Sequence, residues 1–240
     1  RDDIIKRAEV AGCPVLVILC DVPSFGYRPR DIRNGLAIPP RMTLNNVLQI
    51  MGRPEWAMKT ILHGQPSFAT MKPYMPKGLN MKKLGQYMNQ TFSGRLNEEK
   101  IKPIREMWKG KLVLKGVASE EDTEMAIRLG IDGIIVSNHG GRQLDAGQSS
   151  IKPLMAIAKK YRSQIKIMMD SGIRSGPDVA RAMAGGAEFT FMGRSFMYGV
   201  AALGNQGGHH TMSILKTQLQ QVMEQICCER TIDFPDHLIS

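Results

Sequence analysis

Short apolar runs alternate with longer stretches in which apolar residues return every three or four positions, and this rhythm dominates the second half of the chain. The runs at 15–20, 112–115, 133–137, 165–170 and 189–192 are rich in β-branched residues, lack polar alternation and end in turn formers, which predicts five buried strands. Between them, helical spacing predicts helices at 4–10, 98–109, 151–161 and 177–184, and a long final one at about 211–229. A further helix runs from Ser119 to Gly130. The Ser119 hydroxyl suits an N-cap, and Glu120, Glu121 and Asp122 favour the positive helix end. Strands joined by amphipathic helices make βα units and hence a parallel sheet. A doubly wound sheet would carry a G-x-G-x-x-G turn after its first strand. None is present, so the pattern favours a (β/α)8 barrel, of which five strands are legible.

The region at about 27–96 breaks this rhythm. Pro29, Pro39, Pro40, Pro54, Pro66, Pro73 and Pro76 punctuate it, and helical spacing survives only at 43–51 and 55–62. Loops of this length inside a domain are usually functional or disordered. The same region holds most of the charge. Between Arg28 and Lys83 ten basic residues stand against Asp31 and Glu55, in a chain whose formal net charge is +10. Such a patch attracts nucleic acid, anionic lipid or acidic substrate alike.

Composition narrows the class. With 42% hydrophobic and 22% charged residues, the 240-residue chain has the make-up of a soluble globular domain. No run approaches the roughly 18 apolar residues of a membrane span, and no signal peptide is evident. Cys13, Cys20, Cys227 and Cys228 lack metal-ligand spacing, and a chain of this size needs no disulfide staples. A reducing, cytoplasmic location without a metal is expected. The first residues, from Arg1 to Ala8, read as a helix already under way with no initiator Met, so an N-terminal part is expected to precede them.

Candidate chemistry collects where strands end. After the run Ile134-Ile135-Val136 comes Ser137-Asn138-His139-Gly140-Gly141-Arg142-Gln143-Leu144-Asp145, which places an imidazole and a guanidinium just beyond a strand, where α/β barrels keep their active sites. A base and a bidentate carboxylate binder in one loop suit a small carboxylate substrate. Asp170-Ser171-Gly172-Ile173-Arg174-Ser175-Gly176 and Met192-Gly193-Arg194-Ser195 are two successive glycine–arginine loops. Each lies between a strand and a helix, where backbone amides and an arginine can meet a phosphate. Lys115, placed at a strand end, is costly to bury unless it meets a negative charge, or else it snorkels at the rim.

The nine-residue stretch Ser137 to Asp145 resembles the signature of the FMN-dependent α-hydroxy acid oxidase and dehydrogenase family. That family includes L-lactate dehydrogenase, mandelate dehydrogenase and glycolate oxidase. The likeness extends from about Val15 to Arg194 through Asp21-Val22-Pro23, Arg28, Leu114-Lys115-Gly116-Val117, Asp170-Ser171-Gly172-Ile173-Arg174 and Gly193-Arg194. It implies a TIM-barrel fold, here a C-terminal part covering about strands 4–8. The whole chain, 1–240, would be one partial FMN-binding domain with a long basic insertion at about 27–96.

The resemblance also implies roles. His139 matches the base that takes the substrate's proton as two electrons pass to the flavin, by carbanion or hydride, and Asp21 matches the carboxylate that orients it. Arg142 and Arg28 match the pair that clamps the substrate carboxylate. Lys115 matches the cation at the flavin's N1–O2 edge and Ser137 a ring contact, while Asp170 matches the ribityl contact. Gly172, Arg174, Gly193 and Arg194 fall at the phosphate end.

A small L-2-hydroxy acid, lactate- or mandelate-like, is the implied substrate, and quinone, a cytochrome or oxygen the implied acceptor. The family also suggests a homo-oligomer, as a tetramer. Two departures stand out: Leu19 replaces the family's usual flavin-contacting Thr, and the first three strands have no counterpart here. A chain of this extent is expected to leave the barrel open with an apolar strand edge exposed.

The basic region resembles the corresponding loop of membrane-associated lactate and mandelate dehydrogenases, including Arg53-Pro54-Glu55-Trp56 and His63-Gly64-Gln65-Pro66. Basic residues mixed with Trp56, Phe68 and Tyr74 suit peripheral membrane contact on the inner face of the cytoplasmic membrane, and a basic active-site lid is the other reading. The competing class, a basic fragment that binds nucleic acid, lacks regular aromatic interleaving or a known motif, so no nucleic-acid partner is expected. A third reading is an inactive half-barrel.

Overall fold

The computed structural model describes residues 1–23, 28–35, 43–64, 69–76, 87 and 95–239. Ser24, Gly26, Tyr27, Pro39, Pro40, Gln65, Pro66 and Phe68, the basic residues Arg41, Lys77, Lys82 and Lys83, and the side chain of Arg30 lie outside them. The chain divides into two compact units, Arg1–Pro23 with Gly94–Ser240, and Ser24–Ser93.

In the first unit helix α1 (Asp2–Val10) leads into strand β1 (Val15–Leu19). The second unit contributes α2 (Pro29–Arg33), α3 (Leu44–Met51) and α4 (Pro54–His63). The first unit then resumes with α5 (Glu98–Met107), β2 (Lys111–Val117), α6 (Glu120–Arg128), β3 (Gly133–Val136), α7 (Ile151–Tyr161), β4 (Lys166–Met169) and α8 (Gly176–Ala184). After these come β5 (Phe189–Thr190), α9 (Arg194–Leu203), α10 (Gly207–Gln225) and a 3-10 segment, Thr231–His237.

The five strands form one sheet in the order β1-β2-β3-β4-β5, every pair parallel. This is the βα rhythm of the sequence made physical: each helix carries the chain back so that the next strand can run the same way. Alternate strand residues divide between two faces. Leu112 and Leu114, Ile134 and Val136, and Ile167 and Met169 join Ile101, Ile104, Trp108, Leu154 and Ile157 in one buried cluster. At roughly 2 kcal/mol per fully buried aliphatic side chain, this cluster is the main stabilising term of the unit. The fold is a C-terminal part of a TIM barrel, open at both sheet edges among the described residues.

Strand β1 departs from the expectation of full burial. Val15, Val17 and Leu19 are 45, 48 and 40% exposed, whereas Leu16 and Ile18 pack against the core. The reason is position: among the described residues β1 has a neighbour on one side only, so its outward-facing alternate residues lack cover. Lys115 is not at a strand end either. It lies inside β2, which runs on to Val117 through an irregularity between Lys115 and Val117. Helix α10 begins at Gly207 rather than at 211, and Gly207 lies against Gly199 of α9 with no room for side chains. Strand β5 is two residues long, shorter than its apolar run.

In the second unit Thr43 caps α3 by accepting the Asn46 N–H, and Pro54 occupies the first turn of α4. Leu44, Leu48, Met51, Trp56, Ile61 and Leu62 are all exposed. None of the helices is long and apolar enough to cross a membrane among the described residues.

Candidate functional site

The C-terminal ends of β1 to β4 bring together residues that are far apart in sequence. Cys20 N–H, just past β1, donates to the Lys115 carbonyl at 2.8 Å, which sets Asp21 beside β2. There the chain passes through Gly116 at φ 101°. A Cβ at Gly116 would stand 2.5 Å from Asp21 Cβ and 2.8 Å from its backbone nitrogen. Only glycine combines that backbone conformation with that closeness. Both oxygens of Asp21 then lie 3.2 Å from Nδ1 of His139. The pair is mostly buried, its side chains 13% and 25% exposed.

His139 itself sits in a left-handed turn, at φ 56°, followed by Gly140 at φ 67°. Its backbone is tied down on every side. Asn138 N–H and Gly140 N–H donate to Ser171 Oγ at 3.3 and 2.9 Å, His139 N–H donates to Ser137 Oγ at 3.0 Å, and Gly141 N–H donates to Asn138 Oδ1 at 3.2 Å. Lys115 is paired, as its burial requires. Its Nζ lies 2.7 Å from Asp170 Oδ2 and donates to Ser137 Oγ at 3.0 Å.

Around these groups is a cavity of about 320 Å³ lined by Lys115, His139, Arg142, Asp170, Arg174 and Arg194, among others. Four cations against one carboxylate make it electropositive, a field that favours anions. Arg194 reaches back to donate to the Gly140 carbonyl at 2.5 Å, which joins the loop after β5 to the His139 loop. The Arg174 guanidinium stands 5.8 Å from the centre of the Tyr198 ring.

The two glycine–arginine loops differ. Asp178 accepts the Arg174 and Ser175 N–H groups, and Gln218 accepts that of Gly176, so the amides at the start of α8 are already engaged. This corrects the expectation that the amides opening α8 meet an anion: the capping box of Ser175 and Asp178, together with Gln218, has taken them. The start of α9, at Gly193 and Arg194, has no side-chain cap.

Of the residues singled out from the sequence, His139, Asp21, Lys115, Ser137, Asp170, Arg142, Gly172, Arg174, Gly193 and Arg194 all belong to the first unit. Arg28 belongs to the other unit, where it pairs with Asp31 at 3.8 Å. Missing from the sequence reading were Ser171 and Gly116. A residue other than glycine at φ 75° has no sequence signature.

The residues fit an FMN. Arg174, Arg194 and the uncapped start of α9 provide for a phosphate, and Lys115, Asp170 and Ser137 offer polar contacts. Phe191, Met192 and Met197 add apolar wall, and a Cβ at Gly172 or Gly193 would meet nothing within 4 Å, so both border open space.

Comparison with known proteins agrees with this geometry. The family model for FMN-dependent dehydrogenases matches residues 1–240. The L-lactate dehydrogenase of Alcaligenes faecalis is 39% identical over 220 residues, which are 91% of this chain and 58% of that protein. That of Haemophilus influenzae (strain PittEE) is 38% identical over 229 residues, 95% of this chain and 60% of that protein. Among solved structures, the monotopic membrane protein (S)-mandelate dehydrogenase superposes with a TM-score of 0.90 at 32% identity, over 99% of this chain and 63% of that one. A mandelate oxidase superposes with a TM-score of 0.72 at 29% identity, over 98% and 57%. The chain therefore spans about three fifths of the length of these relatives.

Proposed function

Since the chain belongs to the FMN-dependent dehydrogenase family, we propose that its site oxidises a small L-2-hydroxy acid, lactate- or mandelate-like, to the 2-oxo acid. The observation that carries this reading is the Asp21–His139 pair beside an electropositive cavity. FMN, when bound, supplies the acceptor for the two electrons that leave the substrate's α-carbon. The protein's own groups do the rest. Asp21 accepts from Nδ1–H, fixing the tautomer and leaving Nε2 to take the substrate proton. Arg142 is assigned to the substrate carboxylate, where a bidentate guanidinium gives both charge and orientation. Lys115 and Ser137 hold the polar edge of the cofactor ring, Asp170 its ribityl chain, and Gly172, Arg174, Gly193 and Arg194 its phosphate end.

The protein carrying this chain should purify yellow and bleach anaerobically with L-lactate or L-mandelate. A colourless preparation that takes up no FMN would overturn the assignment. Electrons then pass to quinone or a cytochrome. Peroxide release in air at the rate of turnover would instead make the enzyme an oxidase.

A peripheral membrane contact on the cytoplasmic side is the second part of this proposal, through the basic stretch of about 27–96 read as an insertion in a single partial barrel domain. The exposed Leu44, Leu48, Met51, Trp56, Ile61 and Leu62, interspersed with Arg53 and Lys59, support it. Co-sedimentation with phosphatidylglycerol vesicles, weakened by salt, is expected, and failure to sediment would remove it. The assembly is proposed to be a homotetramer, which light scattering checks.

A further inference from the structure

Ser171 uses all three hydrogen-bonding directions of its hydroxyl, and two of them bracket His139. Oγ accepts from Gly140 N–H at 2.9 Å and from Asn138 N–H at 3.3 Å, the amides of the residues on either side of the imidazole-bearing one. Its proton goes to Asp170 Oδ1 at 2.9 Å, while Ser137 Oγ lies at a longer 3.4 Å. The carboxylate thus turns the hydroxyl so that its lone pairs face the loop. The other oxygen of Asp170 is held by Lys115.

Ser171 keeps this place at a cost in backbone strain. Its φ is 75°, a conformation natural to glycine and unfavourable for serine. Glycine would relax the backbone but would leave the Asn138 and Gly140 N–H groups without their acceptor. Asn138 at φ −114° followed by left-handed His139 turns these amides toward one point, and Ser171 Oγ occupies it.

We propose that Ser171 is a positioning residue: it fixes the His139 loop to β4 and, through Asp170, to Lys115, so that the base and the cofactor-facing cation are set by one hydrogen-bonded chain. It lines the cavity, but its hydroxyl is engaged with the loop amides and Asp170. It acts through His139, and its kinetic consequence rests on the 2-hydroxy acid reading above.

Two substitutions separate this role from general stability. Ser171→Gly removes the hydroxyl and relieves strain, whereas Ser171→Ala removes the hydroxyl and keeps the strain. In the full protein both should lower kcat by about 10- to 100-fold, the scale of a misplaced base. KM should change little, and the isotope effect with α-deuterated substrate should rise because the bond-breaking step becomes more limiting. Melting temperature should fall in Ser171→Ala but not in Ser171→Gly.

Amide hydrogen exchange gives an arm independent of turnover: Asn138 and Gly140 should exchange at least about tenfold faster in both variants. Unchanged exchange at these two amides overturns the proposal, as does a wild-type kcat and isotope effect in an active Ser171→Gly enzyme. If the wild type oxidises no 2-hydroxy acid, the functional reading fails, and the exchange result still decides the role of Ser171.

Discussion

Asp21 and His139 stand 118 positions apart in the chain, yet both carboxylate oxygens of one lie 3.2 Å from Nδ1 of the other. The parallel sheet makes this possible, because β1 and β3 flank β2 and deliver their following loops to the same end. Replacing Asp21 by Asn keeps an acceptor but removes the charge that stabilises a protonated imidazole. Turnover should fall by about 10²-fold, the lower range for general acid–base help, with KM for the 2-hydroxy acid little changed. Steady-state kinetics on L-lactate and L-mandelate would check it, and an undiminished kcat would detach Asp21 from the chemistry.

Gly116 should be as unforgiving as the residues it serves. A methyl group there needs both a backbone at φ 101° and the space that Asp21 occupies. Gly116→Ala is expected to cost about 2 kcal/mol of stability, from backbone conformation and displacement together, and to reduce kcat as Asp21→Asn does. Denaturant titration and kinetics on the same sample test both parts.

Lys115 and Asp170 make a 2.7 Å pair whose side chains are 23% and 17% exposed. Removing either partner leaves the other charge poorly solvated. Lys115→Met or Asp170→Asn alone should therefore destabilise by about 2 kcal/mol, less than a fully buried pair because solvent reaches both. The double variant should recover about 1 kcal/mol of the summed loss. Strict additivity in thermal melts would show that the two do not depend on each other.

Asp132, at the opposite end of the sheet, predicts part of the acid limb of stability. Burial works against its charge, but hydrogen bonds from Lys111, Leu112 N–H and Arg105 outweigh it and hold the carboxyl below its usual value of 3.8. A lowered folded-state value contributes stability above pH 3.8 that is lost as the pH falls through the folded value. Asp132→Asn should thus be less stable than wild type at neutral pH, with the gap narrowing below pH 3.8. Urea melts at several pH values would show whether it does.

Cys20 should be the slow thiol. Burial, with the neighbouring charge of Asp21, pushes it up to about 11, while Cys13 and Cys227 are exposed. At pH 8 the thiolate fraction of Cys20 is on the order of 10⁻³, so iodoacetamide should label Cys13 and Cys227 first. Peptide mapping by mass spectrometry reads the order directly.

Local features were the ones legible in the sequence. Helix α7 has the bounds its periodicity predicts, Ser119 caps α6, and the strand-terminal positions of Asp21, Ser137 and Asp170 follow from short apolar runs. What escaped depends on pairing between distant segments. The exposure of Val15 and Val17 follows from where β1 lies in the sheet order, which no run of residues in β1 encodes. The interior position of Lys115 depends on the irregularity that lets β2 continue beyond it. Asp178 carries no distinguishing signature in the sequence, and only its three contacts with Ser175 and Arg174 show that it engages the amides leading into α8. Ser171 had no local signature because its hydroxyl serves residues more than thirty positions away.

Strands β1 and β2 are hydrogen-bonded neighbours although all of Ser24–Ser93 intervenes between them. For the sheet, the length of that detour is nearly a free variable: doubling it changes the entropy of closure by only about 0.6 kcal/mol. Whatever surface the detour engages can therefore be rewritten by insertion, deletion or exchange while Cys20 still meets Lys115 and the imidazole keeps its carboxylate. If the detour carries the proposed membrane contact, that contact and the proposed chemistry lie largely on stretches that can change at different rates.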